Sequence, residues 1–152
     1  MLAVGKSAPN FTLPVNGAAH VTLSALQGKY VVLYFYPKDD TPGCTIEAKD
    51  FRDHIAAFEK KHAVVIGMSK DKVCDHDAFV KKYDLPFMLA SDEQGDVLEA
   101  YGVWTQKSMY GKKYMGIERT TFLIDPKGTI AEIWNKVKVD GHVQDVLSRI
   151  PA

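Results

Sequence analysis

The run Tyr30-Val31-Val32-Leu33-Tyr34-Phe35-Tyr36 constrains this chain more than any other segment. It is apolar and aromatic throughout, rich in β-branched residues, and lacks the alternation of a half-exposed strand. Such a run predicts a central strand buried on both faces. It ends at Pro37, and a polar turn, Lys38-Asp39-Asp40, follows. The next four residues, Thr41-Pro42-Gly43-Cys44, read as a helix start. Thr41 is a preferred N-cap type, and preceding a proline biases it toward the extended backbone that an N-cap needs. Pro42 then falls at N1, where its missing N–H costs nothing. Cys44 falls at N3, the slot that holds a carboxylate in a Ser/Thr-x-x-Glu capping box.

A thiol at N3 sits among N–H groups without intrahelical partners, at the positive end of the helix dipole. That setting favours thiolate, the reactive form. The alternative is a small buried apolar cysteine, as most free cysteines are. Asp39 and Asp40 oppose the thiolate, but as solvated loop residues they would be screened.

The other elements fall around this strand and helix. Phe11–Leu13 and Val21–Leu23 flank Asn16-Gly17 and read as paired short strands. Ser24–Gln27 reads as one helical turn ended by Gly28. From Pro42 to about Lys61 the pattern is helical, with Phe51, Ile55 and Phe58 on one face. Ala63–Met68 is a second buried strand. Ser69-Lys70-Asp71 offers caps for a helix to about Tyr83. Pro86–Ala90 reads as a strand, Asp92–Gly102 as a short helix and Trp104–Gly116 as a loop. Thr120–Ile124 and Thr129–Trp134 form a hairpin around Asp125-Pro126-Lys127-Gly128. Asp140 caps a last helix whose Val143, Val146, Leu147 and Ile150 face the core. This order predicts an α/β fold, a central mixed sheet flanked by helices, with an N-terminal β extension. It matches the thioredoxin-like architecture, and in open α/β sheets sites lie at the carboxyl ends of strands, where Cys44 falls.

A chain of 152 residues suits one domain over 1–152. Lys+Arg and Asp+Glu balance at 19 each, so nothing global favours nucleic acid or a membrane surface. Two cysteines are no disulfide scaffold. The first residues lack the apolar core of a signal peptide, and Val31–Pro37 is too short to span a bilayer. The expectation is a reducing cytoplasm that keeps a reactive cysteine reduced.

Pro37-x-x-x-Thr41-x-x-Cys44 resembles the active-site signature of the peroxiredoxins. The string from Tyr34 to Ala48, with Thr45 and Glu47, is similar to their bacterioferritin comigratory protein, or peroxiredoxin Q, branch. So is the stretch from Tyr110 to Asp125, with Gly116, Arg119 and Thr121. The resemblance runs from about Gly5 to the last helix. It implies reduction of hydrogen peroxide and organic hydroperoxides with no metal, haem or flavin. By the same resemblance Cys44 is the peroxidatic cysteine, which passes through a sulfenic acid. Thr41 carries the hydroxyl that interacts with thiolate and peroxide. Pro37 walls the pocket, and Arg119 stabilises the thiolate and the developing charge. Read without the resemblance, Arg119 is a surface ion-pair residue and Glu47 a carboxylate on the helix surface. The implied partners are a peroxide and a thiol reductant such as thioredoxin, glutaredoxin or glutathione. The implied state is a monomer, with a weak dimer as the alternative.

The chain departs from the branch in one respect. Members carry a second, resolving cysteine where Lys49 stands here, or near Val80. Neither position is cysteine, and the other cysteine, Cys74, opens the following helix. Two routes remain: Cys74 resolves the sulfenic acid, or an external thiol does so alone. A bridge from Cys44 to Cys74 needs Cα atoms within about 7 Å.

Rival classes lack support in the residues. Thioredoxin-type disulfide exchange uses Cys-x-x-Cys, and Thr41 occupies the first of those positions. The alternatives are such an oxidoreductase or a redox-sensing binding protein; a plain binding or scaffold protein would show slow alkylation and no peroxide sensitivity at Cys44. Cys74-x-His76 lacks further metal ligands at useful spacing. His20, His54, His62 and His142 read as surface imidazoles. Lys107–Tyr114 is basic and aromatic, but the balanced charge argues against nucleic acid and leaves it as a loop at the pocket rim.

Overall fold

The computed structural model describes residues 2–152. The expected central strand is β3, Tyr30–Phe35. It pairs in parallel with β4, Ala63–Ser69, which pairs in parallel with β5, Met88–Ser91. On its other side β3 meets β8, Thr120–Ile124, antiparallel, and β8 meets β9, Ile130–Trp134. The hairpin β1, Thr12–Val15, and β2, Ala19–Thr22, extends the far edge through β5. The order of the seven strands is β2-β1-β5-β4-β3-β8-β9, so the fold is the mixed sheet expected.

The pleat of β3 explains its unbroken apolar run. Val31, Leu33 and Phe35 enter one core with Phe11, Val15, Ile66, Leu98 and Phe122. Val32, Tyr34 and the following Tyr36 enter a second core with Phe51, Phe58, Phe79 and Val143. Successive residues of a strand point to opposite faces, so a strand covered on both sides has no place for polar alternation. The helices are shared unequally between the faces. Side chains of α1 (Pro42–Asp53), α2 (Ile55–Lys60), α3 (Val73–Tyr83) and α5 (His142–Ser148) lie in the second core, and Leu98 of α4 (Asp96–Ala100) lies in the first.

Four local expectations change. The helix expected from Pro42 to Lys61 breaks at His54. There the imidazole Nδ1 donates to Asp50 O at 2.8 Å, the carbonyl that His54 N–H would take in a continuing helix. The segment Trp104–Gly116 is a second hairpin, not a loop: β6, Trp104–Met109, pairs antiparallel with β7, Lys112–Ile117. Its turn places Tyr110 and Gly111 at φ +52° and +78°, the left-handed pair of a tight hairpin. Most of its side chains keep some exposure on both faces, so no period-two apolar signal marks it. Ser69 and Asp71 do not cap α3, whose N-cap is Lys72, because they bond each other and the loop before α1. Gly141, not Asp140, occupies the N-cap of α5.

No helix among the described residues is long and apolar enough to cross a membrane.

Candidate active site

The helix start is built as its local sequence dictates. Thr41 takes the N-cap with extended backbone, φ −92° and ψ 157°, Pro42 takes N1, and Cys44 lies at N3. The cap itself differs from a capping box. Thr41 Oγ1 does not accept from the helix but donates to Lys38 O at 2.8 Å. The hydroxyl hydrogen is thereby used, and the oxygen keeps its lone pairs for a donor. Thr45 N–H reaches Thr41 O, while Gly43 and Cys44 N–H find no acceptor among the described residues. The first turn carries no acidic side chain.

Arg119 reaches this helix start from the residue before β8. Because β8 borders β3 with Thr120 opposite Phe35, the chain enters β8 beside the end from which β3 runs to α1. Arg119 Nη2 donates to Cys44 Sγ at 3.3 Å, and Nη1 donates to Glu47 Oε1 at 2.6 Å. Gly43 makes the approach passable: a Cβ there would lie 3.2 Å from Arg119 Nη2. Neither contact fits a surface arginine, and the Arg119 side chain is only 17% exposed. Burial works against the guanidinium charge, but Glu47 and Cys44 outweigh it and raise the pKa of Arg119.

Glu47 is fully buried rather than on the helix surface. Burial pushes its carboxyl up to about 7 against the opposing pull of Arg119. Only Oε1 is bonded; among the described residues Oε2 has no hydrogen-bond partner, nor has the buried hydroxyl of Tyr34. The Tyr34 ring stacks on Phe51 at 4.6 Å, and burial first, then Glu47 and Cys44, hold its hydroxyl well above the usual phenol range. Lys107 of β6 belongs to the same electrostatic neighbourhood: burial, then Arg119, lowers its pKa, while Glu118 and Cys44 oppose the shift.

The remaining expected residues are placed less centrally. Pro37 follows β3 and is exposed. Cys44 is 1% exposed, whereas Cys74 is exposed at the second position of α3; both thiols are free. Lys49 is exposed and Val80 half-buried. One histidine departs from the surface reading. His142 is buried, with Nε2 2.8 Å from Thr121 Oγ1, and burial lowers its pKa to about 4. His76 is fully buried beside Asp39. Asp39, Asp71 and His76 bring potential ligand atoms within 4.8 Å of one another, but hydrogen bonds among themselves and to the backbone already occupy them.

A free sulfur at a helix N-terminus, under a guanidinium and at the carboxyl end of a central strand, is an arrangement for nucleophilic attack by sulfur. Comparison with known proteins agrees on the class. Residues 4–133 match the AhpC/TSA family. The bcp protein of Coxiella burnetii is 55% identical over 98% of this chain and 99% of its own length. Peroxiredoxin Bcp of Bacillus subtilis is 48% identical over 98% of this chain and 95% of its own. Among solved structures, a mutant of Xylella fastidiosa peroxiredoxin Q superposes with a TM-score of 0.93 at 39% identity, covering 98% of this chain and 95% of that one. The bacterioferritin comigratory protein of Xanthomonas campestris, solved in a study of its alkyl peroxide reduction activity, gives 0.88 at 43% identity over 92% and 89%. The chain belongs to the AhpC/TSA family and, within it, to the peroxiredoxins of the bacterioferritin comigratory protein, or peroxiredoxin Q, branch. It is a thiol peroxidase.

Proposed function

We propose that Cys44 is the sulfur that reduces hydrogen peroxide and alkyl hydroperoxides, and that an external thiol returns it to the thiol form. The thiolate attacks the terminal oxygen of ROOH. The S–O bond forms as the O–O bond breaks, and RO⁻ leaves with the electron pair and takes a proton to give ROH. Cys44 becomes the sulfenic acid. A reductant thiol attacks that sulfur, forming a mixed disulfide and releasing water. A second thiol then frees Cys44 and leaves the reductant as a disulfide.

One observation carries this reading: the guanidinium of Arg119 donates to Cys44 Sγ at 3.3 Å at the open N-terminus of α1. Such fixed donors act on charge that develops on the sulfur and the peroxide oxygens, without reorganisation at the moment of reaction. Thr41 Oγ1, whose hydrogen is given to Lys38 O, is suited to accept the peroxide hydrogen and direct the O–O bond at the sulfur. Pro37 forms the outer wall of the peroxide site. The reductant is a thioredoxin, a glutaredoxin or glutathione, the compartment is the reducing cytoplasm, and the enzyme is a monomer with Cys74 outside the cycle.

Treatment with one equivalent of peroxide, followed by dimedone and mass spectrometry, tests the assignment. A Cys44 sulfenic adduct is expected. Full peroxidase activity in Cys44→Ser would overturn it. A Cys44–Cys74 bridge within one chain, seen in non-reducing mass spectrometry, would overturn the one-cysteine cycle but not the role of Cys44.

A further inference from the structure

Residues Pro37–Thr41 join β3 to α1 without helix or strand of their own, yet they place both Thr41 and the turn that carries Cys44. Side chains beyond the site hold this loop at two points. The first is Asp39, whose side chain is 6% exposed and so is not the solvated loop carboxylate expected. Its Oδ1 accepts from Tyr36 Oη at 2.5 Å, its Oδ2 lies 2.6 Å from His76 Nδ1, and its N–H donates to Asp71 Oδ2 at 2.8 Å. His76 is fixed from behind by Nε2, which donates to Ala90 O of β5 at 3.0 Å. A carbonyl can only accept, so Nε2 carries a hydrogen and the ring is locked between β5 and Asp39. Asp71 is held in turn by Ser69 Oγ at 2.7 Å, and its carbonyl accepts from Ser91 Oγ.

The second point is Asp40. Its backbone has φ +59°, the left-handed region that side chains other than glycine avoid. Its carboxylate accepts from Lys82 Nζ at 2.8 Å and Tyr83 Oη at 2.7 Å, both on the last turn of α3. The loop is thus tied to both ends of one helix.

We propose that α3 is the positioning element of the peroxide site: the Tyr36–Asp39–His76 chain and the Asp40–Tyr83 bond set where Thr41 Oγ1 lies relative to Cys44 Sγ. The proposal rests on Cys44 being the sulfur that attacks the peroxide. None of these side chains is bonded to Cys44, so they act through the loop. Their effect falls on alignment, because O–O cleavage needs sulfur and both peroxide oxygens in line and is sensitive to small displacements. Alkylation of the same sulfur by iodoacetamide needs no oxygen at Thr41 and is insensitive to it. The two rates therefore separate loop placement from thiol reactivity.

The test measures both rates at one pH in Asp39→Asn, His76→Asn and Tyr36→Phe. Val31→Ala, a buried truncation at the opposite end of β3, serves as a control for lost stability. Asp39→Asn and His76→Asn should lower the peroxide rate about 10²-fold and leave alkylation unchanged. Tyr36→Phe should move the ratio the same way by less, and Val31→Ala should leave it alone. Asp40→Ala, at a partly exposed side chain, keeps the test open if His76→Asn does not fold, and it too should lower the ratio. Peroxide and alkylation rates falling together in these variants would overturn the proposal, as would an equal loss of ratio in Val31→Ala. Wild-type protein that consumes peroxide without oxidising Cys44 would instead overturn the underlying reading.

Discussion

The β3–α1 and β4–α3 corners are built on one plan. In each a parallel strand of the central sheet runs into a connection and then a helix with a cysteine in its first turn. Their surroundings differ in three ways. Cys44 is buried and Cys74 exposed. The first turn of α3 carries Asp75, which answers the helix dipole, whereas the first turn of α1 carries no acid and leaves its N–H groups for another anion. Above all, β3 borders β8, which delivers Arg119, while β4 lies between β3 and β5 and receives no such residue. A cysteine at a helix start is therefore only a beginning. The guanidinium that arrives from a neighbouring strand is what singles out one corner as the proposed site.

Four substitutions press on that contrast, in falling order of effect. Cys44→Ser should reduce peroxide consumption by more than about 10³-fold, since it removes the proposed nucleophile; a stopped-flow assay reads it, and residual turnover through Cys74 would erase the distinction between the corners. Arg119→Met should lower the peroxide rate about 10²–10³-fold, the usual cost of one preorganised charge-stabilising donor. A rate near wild type would reduce Arg119 to a structural ion pair.

Glu47→Gln should act mainly on stability and its pH dependence. Burial raises the folded-state pKa of Glu47 from 4.5 to about 7, so the folded chain holds this proton more tightly than the unfolded one. The matching stability is fully present below pH 4.5 and is lost as pH rises through 7. It amounts to on the order of 3 kcal/mol. Urea unfolding across that range should show the fall in wild type and a flatter profile in Glu47→Gln. Cys74→Ser should change least, with peroxidase turnover on a monothiol reductant within about twofold of wild type, as for a surface substitution away from the chemistry. A large loss would move Cys74 into the cycle.

The site was readable where its causes are local. Thr41, Pro42 and Cys44 take N-cap, N1 and N3 because capping depends on residues within one turn. The β8–β9 hairpin followed from two apolar runs around Asp125–Gly128. The β6–β7 hairpin did not, since partly exposed strands rich in lysine carry no apolar period. Glu47 and His142 read as surface groups, and both are buried, as is His76. A polar residue is buried when a distant partner satisfies it, and no spacing along the chain announces that partner.

The amino-acid sequence by itself determined the central strand, the helix start after it and the sulfur at N3, because each rests on contacts between near neighbours. Only the tertiary structure decided that this sulfur is the buried one of the two. That depended on strand order, which brings Arg119 across 75 residues to Cys44, Glu47 beneath it, and α3 against the loop that holds Thr41.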